Sequence, residues 1–229
     1  MRDQVLKVTL LVPTLNEIEG MKAIMPRIRR EWVDEIFVVD GGSTDGTVEY
    51  AKSQGCRVIR QTRKGVPGAY RDALEHITND IIITFSPDGN SVPEKIPELV
   101  EKMKEGFDMV IVSRYLDGAK SEDDDPVTAF GNWMFTKMIN IFFGGRYTDC
   151  LVIFRAWKAE LVQRAIEVPA RAGYELYTSI YCAKHKLKVS EIPGDEPARI
   201  GGERKMNPLK NGLAVLGLIL SEKFLPGRK

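Results

Sequence analysis

Residues 81–92 read IIITFSPDGNSV, an apolar run that passes directly into Ser86-Pro87-Asp88-Gly89-Asn90. Asp88 and Asn90 bring a carboxylate and an amide two positions apart. Both are oxygen donors, the ligand type that hard cations such as Mg2+ and Mn2+ take and commonly share with substrate phosphates. The same residue types also make ordinary turns, and Asp88 or Ser91 could simply cap a helix starting near Pro93. A second acid, Asp40, closes EIFVVD (35–40) and is followed by GGSTDGT (41–47), where Ser43, Thr44 or Asp45 could cap a helix. Arg199, Arg204 and Lys205 lie among glycines in RIGGERK (199–205). Glycine allows close backbone approach to phosphate oxygens, while Arg offers a fork and Lys a point charge; a plain basic loop is the competing reading.

These groups need elements that hold them at one edge. An apolar run ended by Pro and Gly reads as a strand buried on both faces, and in open α/β sheets ligands are met beyond the carboxyl ends of such strands. Strands are expected over 5–12, 35–40, 56–60, 81–85 and 108–112, separated by helices near 18–28, 47 onward, 69–77 and 93–105. Regular alternation predicts a mostly parallel sheet flanked by helices, with Asp40 and Asp88 on one rim. The turn after the first strand, Pro13-Thr14-Leu15-Asn16-Glu17, has neither the G-x-G-x-x-G nor the G-x-x-x-x-G-K-[ST] pattern of two common nucleotide folds. Further on, 117–126 reads as a solvated acidic loop and 130–143 as an apolar helix with a narrow polar strip of Asn132, Thr136 and Asn140. That helix belongs either to the core or to a membrane interface. A strand-like run over 148–155, helices over 157–166 and 174–185, and a last strand over 187–192 follow.

Composition bounds the rest. The chain has 229 residues, 43% of them hydrophobic, enough for one α/β domain over 1–229, read as two halves, 1–115 and 116–229, the second with an amphipathic tail. Thirty-three basic against 32 acidic residues give a net charge of +1, which speaks against nucleic acid as a partner. Cys56, Cys150 and Cys182 lack metal-ligand spacing and suit a reducing cytoplasm. No signal peptide is evident, and the longest late apolar stretch, 212–220, falls short of the ~20 residues a bilayer span needs. A cytoplasmic protein, free or peripheral on the cytoplasmic face of a membrane, is expected.

In order along the chain stand VPTLNE (12–17), VVDGGSTDGT (38–47), KGVPGA (64–69), FSPDGNSVPEKIPEL (85–99), SRY (113–115), TDCLVIFRAW (148–157) and RIGGERKMN (199–207). This series resembles the family 2 glycosyltransferases of GT-A fold, and within them the polyprenyl-phosphate sugar transferases. The resemblance implies transfer of a hexose, with inversion, from a nucleoside-diphosphate sugar to a polyprenyl phosphate. It implies that Pro13, Leu15 and Glu17 form a nucleotide turn with Glu17 on the ribose and Asp40 on the base, and that Lys64, Gly65, Ser86 and Pro87 lie along the nucleotide. Asp88 matches the second acid of the family's D-x-D metal motif, with Asn90 beside it and Ser86 in place of the first acid. Arg114, Arg199 and Lys205 match the cations that grip diphosphate or acceptor phosphate. Asp149 would position acceptor or sugar, and would be the general base were the acceptor a hydroxyl. The family's hydroxyl-acceptor members carry a Glu-Asp pair where this chain has Glu175-Leu176. A binding module without catalysis is the remaining alternative.

Overall fold

The computed structural model describes residues 6–165, 173–201 and 208–224. Seven strands, β1 (Val8–Thr14), β2 (Glu35–Asp40), β3 (Arg57–Arg60), β4 (Ile81–Thr84), β5 (Met109–Ser113), β6 (Arg155–Lys158) and β7 (Val189–Pro193), form one sheet in the order β3-β2-β1-β4-β6-β5-β7. All neighbours pair in parallel except β6, which runs antiparallel to both β4 and β5. Every residue of β4 and β5 is buried, as their unbroken apolar runs require when helices cover both faces. The edge strand β3 instead exposes Arg57 and Arg60, charges that discourage pairing with another chain.

Helices α1 (Ile18–Ile24), α2 (Thr47–Ser53), α3 (Gly65–Leu74), α4 (Ile96–Lys104), α5 (Pro126–Phe143), α6 (Ala159–Ala165), α7 (Tyr174–Lys184) and α8 (Pro208–Phe224) connect and flank the strands. Pro26, which has no backbone N–H, ends α1 earlier than its apolar spacing suggests and turns the chain into a short 3-10 turn, Met25–Arg27.

The expected strand over 148–155 begins only at Arg155, and Trp157, expected to open a helix, is a fully buried member of β6 opposite Ile82 and Met109. Arg155 supplies the reason. Its buried guanidinium donates to the carbonyls of Cys150 (3.1 Å), Val152 (2.6 Å) and Glu175 (3.0 Å) and to Ser179 Oγ (3.0 Å). Those carbonyls are thereby satisfied without a sheet ladder, and the segment before Arg155 folds as a loop.

α5 is amphipathic in an inverted sense. Asn132, Thr136, Phe135 and Ile139 face inward, while Val127, Phe130, Trp133 and Ile141 are exposed. The polar strip is held by distant partners: Asn132 Nδ2 donates to Tyr115 Oη (3.2 Å), Thr136 Oγ1 accepts from the Cys150 amide (3.3 Å), and Asn140 brackets the Tyr147 backbone (2.9 Å). α8 packs on α5 and α7 through Val215 and Ile219 and exposes Leu209, Leu213 and Phe224. Among the described residues no helix is long and apolar enough to cross a membrane.

Candidate active site

The carboxyl edge of the β1–β2–β4 sheet is built from three turns fastened to one another. Where β1 ends, Asn16 takes a left-handed conformation (φ 56°), and its Oδ1 accepts from the Thr44 amide (2.9 Å). The Asn16, Glu17 and Ile18 amides donate to Ser43 Oγ, Thr47 Oγ1 and Asp45 at 2.8, 3.0 and 3.1 Å. The turns after β1 and β2 are thus one clasped unit. Asp40 locks its half: Oδ2 accepts from the Gly42 and Ser43 amides (2.7 and 2.9 Å), and Oδ1 from Ser43 Oγ and Thr14 Oγ1.

Gly20 joins the third turn. A Cβ there would sit 2.4 Å from the Pro87 carbonyl oxygen and 2.9 Å from the Asp88 Cα, so only glycine lets α1 lie against the Asp88 backbone. Asp40 and Asp88 therefore project from one rim, separated by β1. Asp88 is buried, with Oδ1 accepting from the Asn90 amide (3.2 Å) and Oδ2 paired with Arg199 at 2.8 Å. The Ile200 amide donates to the Asp88 carbonyl (2.6 Å), and Gly89 (φ 98°) leaves room for Ile200, against which a Cβ would lie at 2.7 Å. The segment around Arg199 crosses the rim directly over Asp88-Gly89.

Asn90 Nδ2 donates to Asp123 (3.0 Å), and since that carboxylate can only accept, the amide orientation is fixed. Asn90 Oδ1 is then left buried with no hydrogen-bond partner among the described residues. One carboxylate and one unsatisfied amide oxygen two positions apart on a turn suit a hard divalent cation that completes its shell with water and phosphate oxygens. No group of three or more His, Cys, Asp or Glu able to hold a metal occurs among the described residues, so a protein-only cage is not built here.

Arg114 and Asp149 form a buried centre beyond β5. Arg114 Nε and NH2 reach Asp149 at 2.6 and 3.1 Å, and NH1 faces Glu196 (3.1 Å) and Asp124 (3.4 Å). Burial alone would raise the Asp149 pKa, but the guanidinium beside it prevails and holds it below the ordinary aspartate value. Asp149 is placed by Glu191 of β7, whose carboxylate accepts from the Thr148 amide and hydroxyl (both 2.8 Å) and the Asp149 amide (3.1 Å); burial pushes Glu191 up.

The other candidates are distributed around this edge. Pro13, Leu15 and Glu17 lie in the clasped turn, with Leu15 exposed; Lys64 and Gly65 stand exposed at the start of α3; Ser86 and Pro87 precede Asp88. Lys205 and Arg204 fall outside the described residues. Asp123, Asp124 and Glu196 were not legible as site residues. The acidic run, expected to be a solvated loop, is tied down instead: the Glu122 amide donates to the Glu196 carbonyl and the Glu196 amide to the Lys120 carbonyl, both at 2.8 Å, and Asp124 also accepts from Tyr115 Oη. The available signal was Asp125-Pro126, a helix cap followed by proline at the first helical position, which bounds the loop.

The chain is 28% identical over 222 residues to glycosyltransferase AglJ of Haloferax volcanii, covering 95% of this chain and 71% of that protein. It is 28% identical to the undecaprenyl-phosphate mannosyltransferase of Micrococcus luteus, covering 93% of each chain. It is 30% identical to the dolichol-phosphate mannosyltransferase of Pyrococcus furiosus, covering 88% of this chain and 59% of the relative. In structure it is similar to glucosyl-3-phosphoglycerate synthase of Mycobacterium tuberculosis, solved with Mn2+, uridine diphosphate and phosphoglyceric acid. That match has a TM-score of 0.72 at 22% identity and covers 98% of this chain and 81% of the other. The shared architecture is the GT-A fold. The family model described as glycosyl transferase family 2 matches residues 9–166, and with the clasped rim and its Asp88 turn inside that span, the chain belongs to glycosyl transferase family 2.

Proposed function

We propose that this glycosyltransferase moves a hexose, with inversion, from a nucleoside-diphosphate sugar to a polyprenyl phosphate, in a reaction that depends on Mg2+ or Mn2+. The observation that carries the acceptor assignment is the state of Asp149. A hydroxyl acceptor must lose a proton, whereas a phosphate monoester is already an anionic nucleophile at neutral pH. Asp149, the best placed base, is fully buried, doubly bonded to Arg114 and depressed in pKa, so it is a poor proton acceptor. Glu175 offers no replacement, since it is buried and accepts from Tyr70 Oη (2.8 Å). Relatives named for undecaprenyl-phosphate and dolichol-phosphate mannosyl transfer support the same reading.

The donor is assigned to the clasped rim, with Glu17 toward the ribose, Asp40 toward the base, and Pro13, Leu15, Lys64, Gly65, Ser86 and Pro87 along the nucleotide. Asp88 and Asn90 Oδ1 would hold the divalent ion, which when bound supplies positive charge to the departing diphosphate. Arg199 adds cationic charge on the same side, and Lys205, outside the described residues, is assigned the same task from the sequence. Arg114, oriented by Asp149 through Nε and NH2, keeps NH1 for the acceptor phosphate, which displaces Glu196 and Asp124 from it. Preorganised cations of this kind stabilise charge as it develops on the leaving group.

The outward apolar faces of α5 and α8 support contact with a membrane surface, where a polyprenyl acceptor resides. Large exposed aromatics such as Phe130 and Trp133 gain by entering the headgroup boundary, and seven basic against two acidic residues over 197–229 favour an anionic leaflet. The test is incubation with labelled nucleotide sugars and a short-chain polyprenyl phosphate. Label in an acid-labile lipid fraction is expected; transfer only to soluble hydroxyl acceptors overturns the assignment. Binding of nucleotide sugar without turnover on any acceptor would instead indicate a binding module.

A further inference from the structure

The pair between Arg199 and Asp88 occupies the seat assigned above to the divalent ion. Asp88 has two carboxylate oxygens, and both are engaged, Oδ1 by the Asn90 amide and Oδ2 by the Arg199 guanidinium at 2.8 Å. The contact is built into the chain. Arg199 is held in register by the Ile200 amide on the Asp88 carbonyl, by the space that Gly89 leaves for Ile200, and by Gly201, where a Cβ would strike the Glu19 carboxylate at 2.3 Å. Upstream, the Ala198 amide donates to Glu122 and Glu196 is fixed to the 120–122 backbone. Two polar atoms of this pair's surroundings stay open: among the described residues the buried Arg199 Nε has no hydrogen-bond partner, and neither has Asn90 Oδ1 near Asp88. One is a donor lacking an acceptor, the other an acceptor lacking a cation or donor; Arg199 is paired with Asp88 and Asn90 stands two positions after it.

We infer that Arg199 is the specificity-determining residue for cation entry: it excludes a bare divalent ion from Asp88 and yields only to an ion that arrives together with a diphosphate. The inference rests on the donor-site reading above and deepens it. A divalent ion alone must break the ion pair and leave a guanidinium stranded beside a doubly charged ion, two like charges competing for one carboxylate. Ser86, in place of the motif's first acid, supplies no second carboxylate on this turn to compensate. When the ion comes with a diphosphate, the phosphate oxygens offer Arg199 a new anionic partner, and a guanidinium fork suits phosphate as well as carboxylate. The exchange conserves charge pairing: Arg199 passes from carboxylate to diphosphate as the ion takes Asp88 and Asn90 Oδ1. Ion and diphosphate then bind with positive coupling, and each raises the affinity of the other by the same factor.

The test is calorimetric titration of the full chain with Mn2+, with and without a saturating nucleoside diphosphate, for the wild type, Arg199→Gln, Arg199→Lys and Asp88→Asn. The wild type is expected to bind Mn2+ alone weakly and to bind it at least about ten-fold more tightly with the diphosphate present. Arg199→Gln is expected to bind Mn2+ alone about ten-fold more tightly than the wild type while binding the diphosphate less well and losing most of the coupling. A residue that merely braced the loop would give no such gain. Arg199→Lys, which keeps the charge without the fork, should fall between the two and serves if the Gln variant fails to fold. Unchanged or weaker Mn2+ binding by Arg199→Gln, or equal wild-type affinity with and without diphosphate, overturns the inference. Asp88→Asn separates the two levels: if it leaves Mn2+ binding intact, the donor-site reading itself is wrong; if it abolishes binding while Arg199→Gln shows no gain, only the role given to Arg199 fails.

Discussion

Asp88 serves both the backbone and the chemistry of the rim, receiving the Ile200 amide on its carbonyl and Arg199 on its carboxylate. Asp88→Asn is isosteric and keeps the carbonyl contact, so its cost to stability is that of one ion pair between a buried carboxylate and a partly buried guanidinium, about 1–3 kcal/mol. Turnover is expected to fall by about 10²-fold or more, because charge stabilisation at the leaving group is lost. Equal activity at saturating Mn2+ would refute this role. Asp149 is expected to behave differently. Its pKa is depressed in the fold, so its contribution to stability is fully present above the unfolded value near 3.8 and is lost as pH falls below it. Asp149→Asn breaks a buried pair, with an expected loss of about 3 kcal/mol at pH 7. The penalty should shrink as pH drops through 3.8, which urea denaturation at pH 7 and pH 3 would measure; a deficit independent of pH would show that the charge is not what matters. The placement of Asp88 and Asp40 on one rim was legible because Asp40 closes β2 and Asp88 follows the apolar run of β4 by four residues. The pairing of Arg114 with Asp149 was not, since the two are 35 positions apart and only the sheet brings them together.

α5 shows how an element can be found while its orientation stays open. Its length and apolar content were evident from sequence, but Asn132, Thr136 and Asn140 turn inward because Tyr115, Cys150 and Tyr147 wait there, partners that no local pattern discloses. The outward face then carries Phe130 and Trp133. Phe130→Ser with Trp133→Ser is expected to weaken binding to anionic lipid vesicles by about ten-fold or more, given ~1.5–3 kcal/mol for burying each large apolar side chain. Transfer to a short, water-soluble polyprenyl phosphate should persist, and vesicle sedimentation beside that assay distinguishes surface contact from folding. If both activities fall together, the face is structural. On the donor rim, Gly20→Val would drive a side chain into the Pro87 carbonyl and push α1 off the Asp88 turn. Nucleotide binding should drop with little change in the lipid contact, a separation that the same two assays resolve.

At the scale of the whole molecule, the parallel half was read from sequence almost strand by strand, since uninterrupted apolar runs ended by acids or prolines mark doubly covered strands. The other half resisted. β6 is four residues long, is preceded by a loop whose carbonyls are taken up by Arg155, and acquires its partners only by insertion between β4 and β5. That insertion carries a consequence for synthesis. β4 and β5 are adjacent in sequence yet never touch as neighbours in the sheet, so when the ribosome has produced the chain through Ser113, each still presents a bare hydrogen-bonding flank that only residues 155–158 can cover. A nascent chain arrested near residue 150 is expected to be degraded readily by added protease and to aggregate on release, whereas one arrested with residues 155–158 clear of the exit tunnel gains resistance. Protease protection already complete at residue 150 would mean that the two flanks first close on each other and must reopen to admit the late strand.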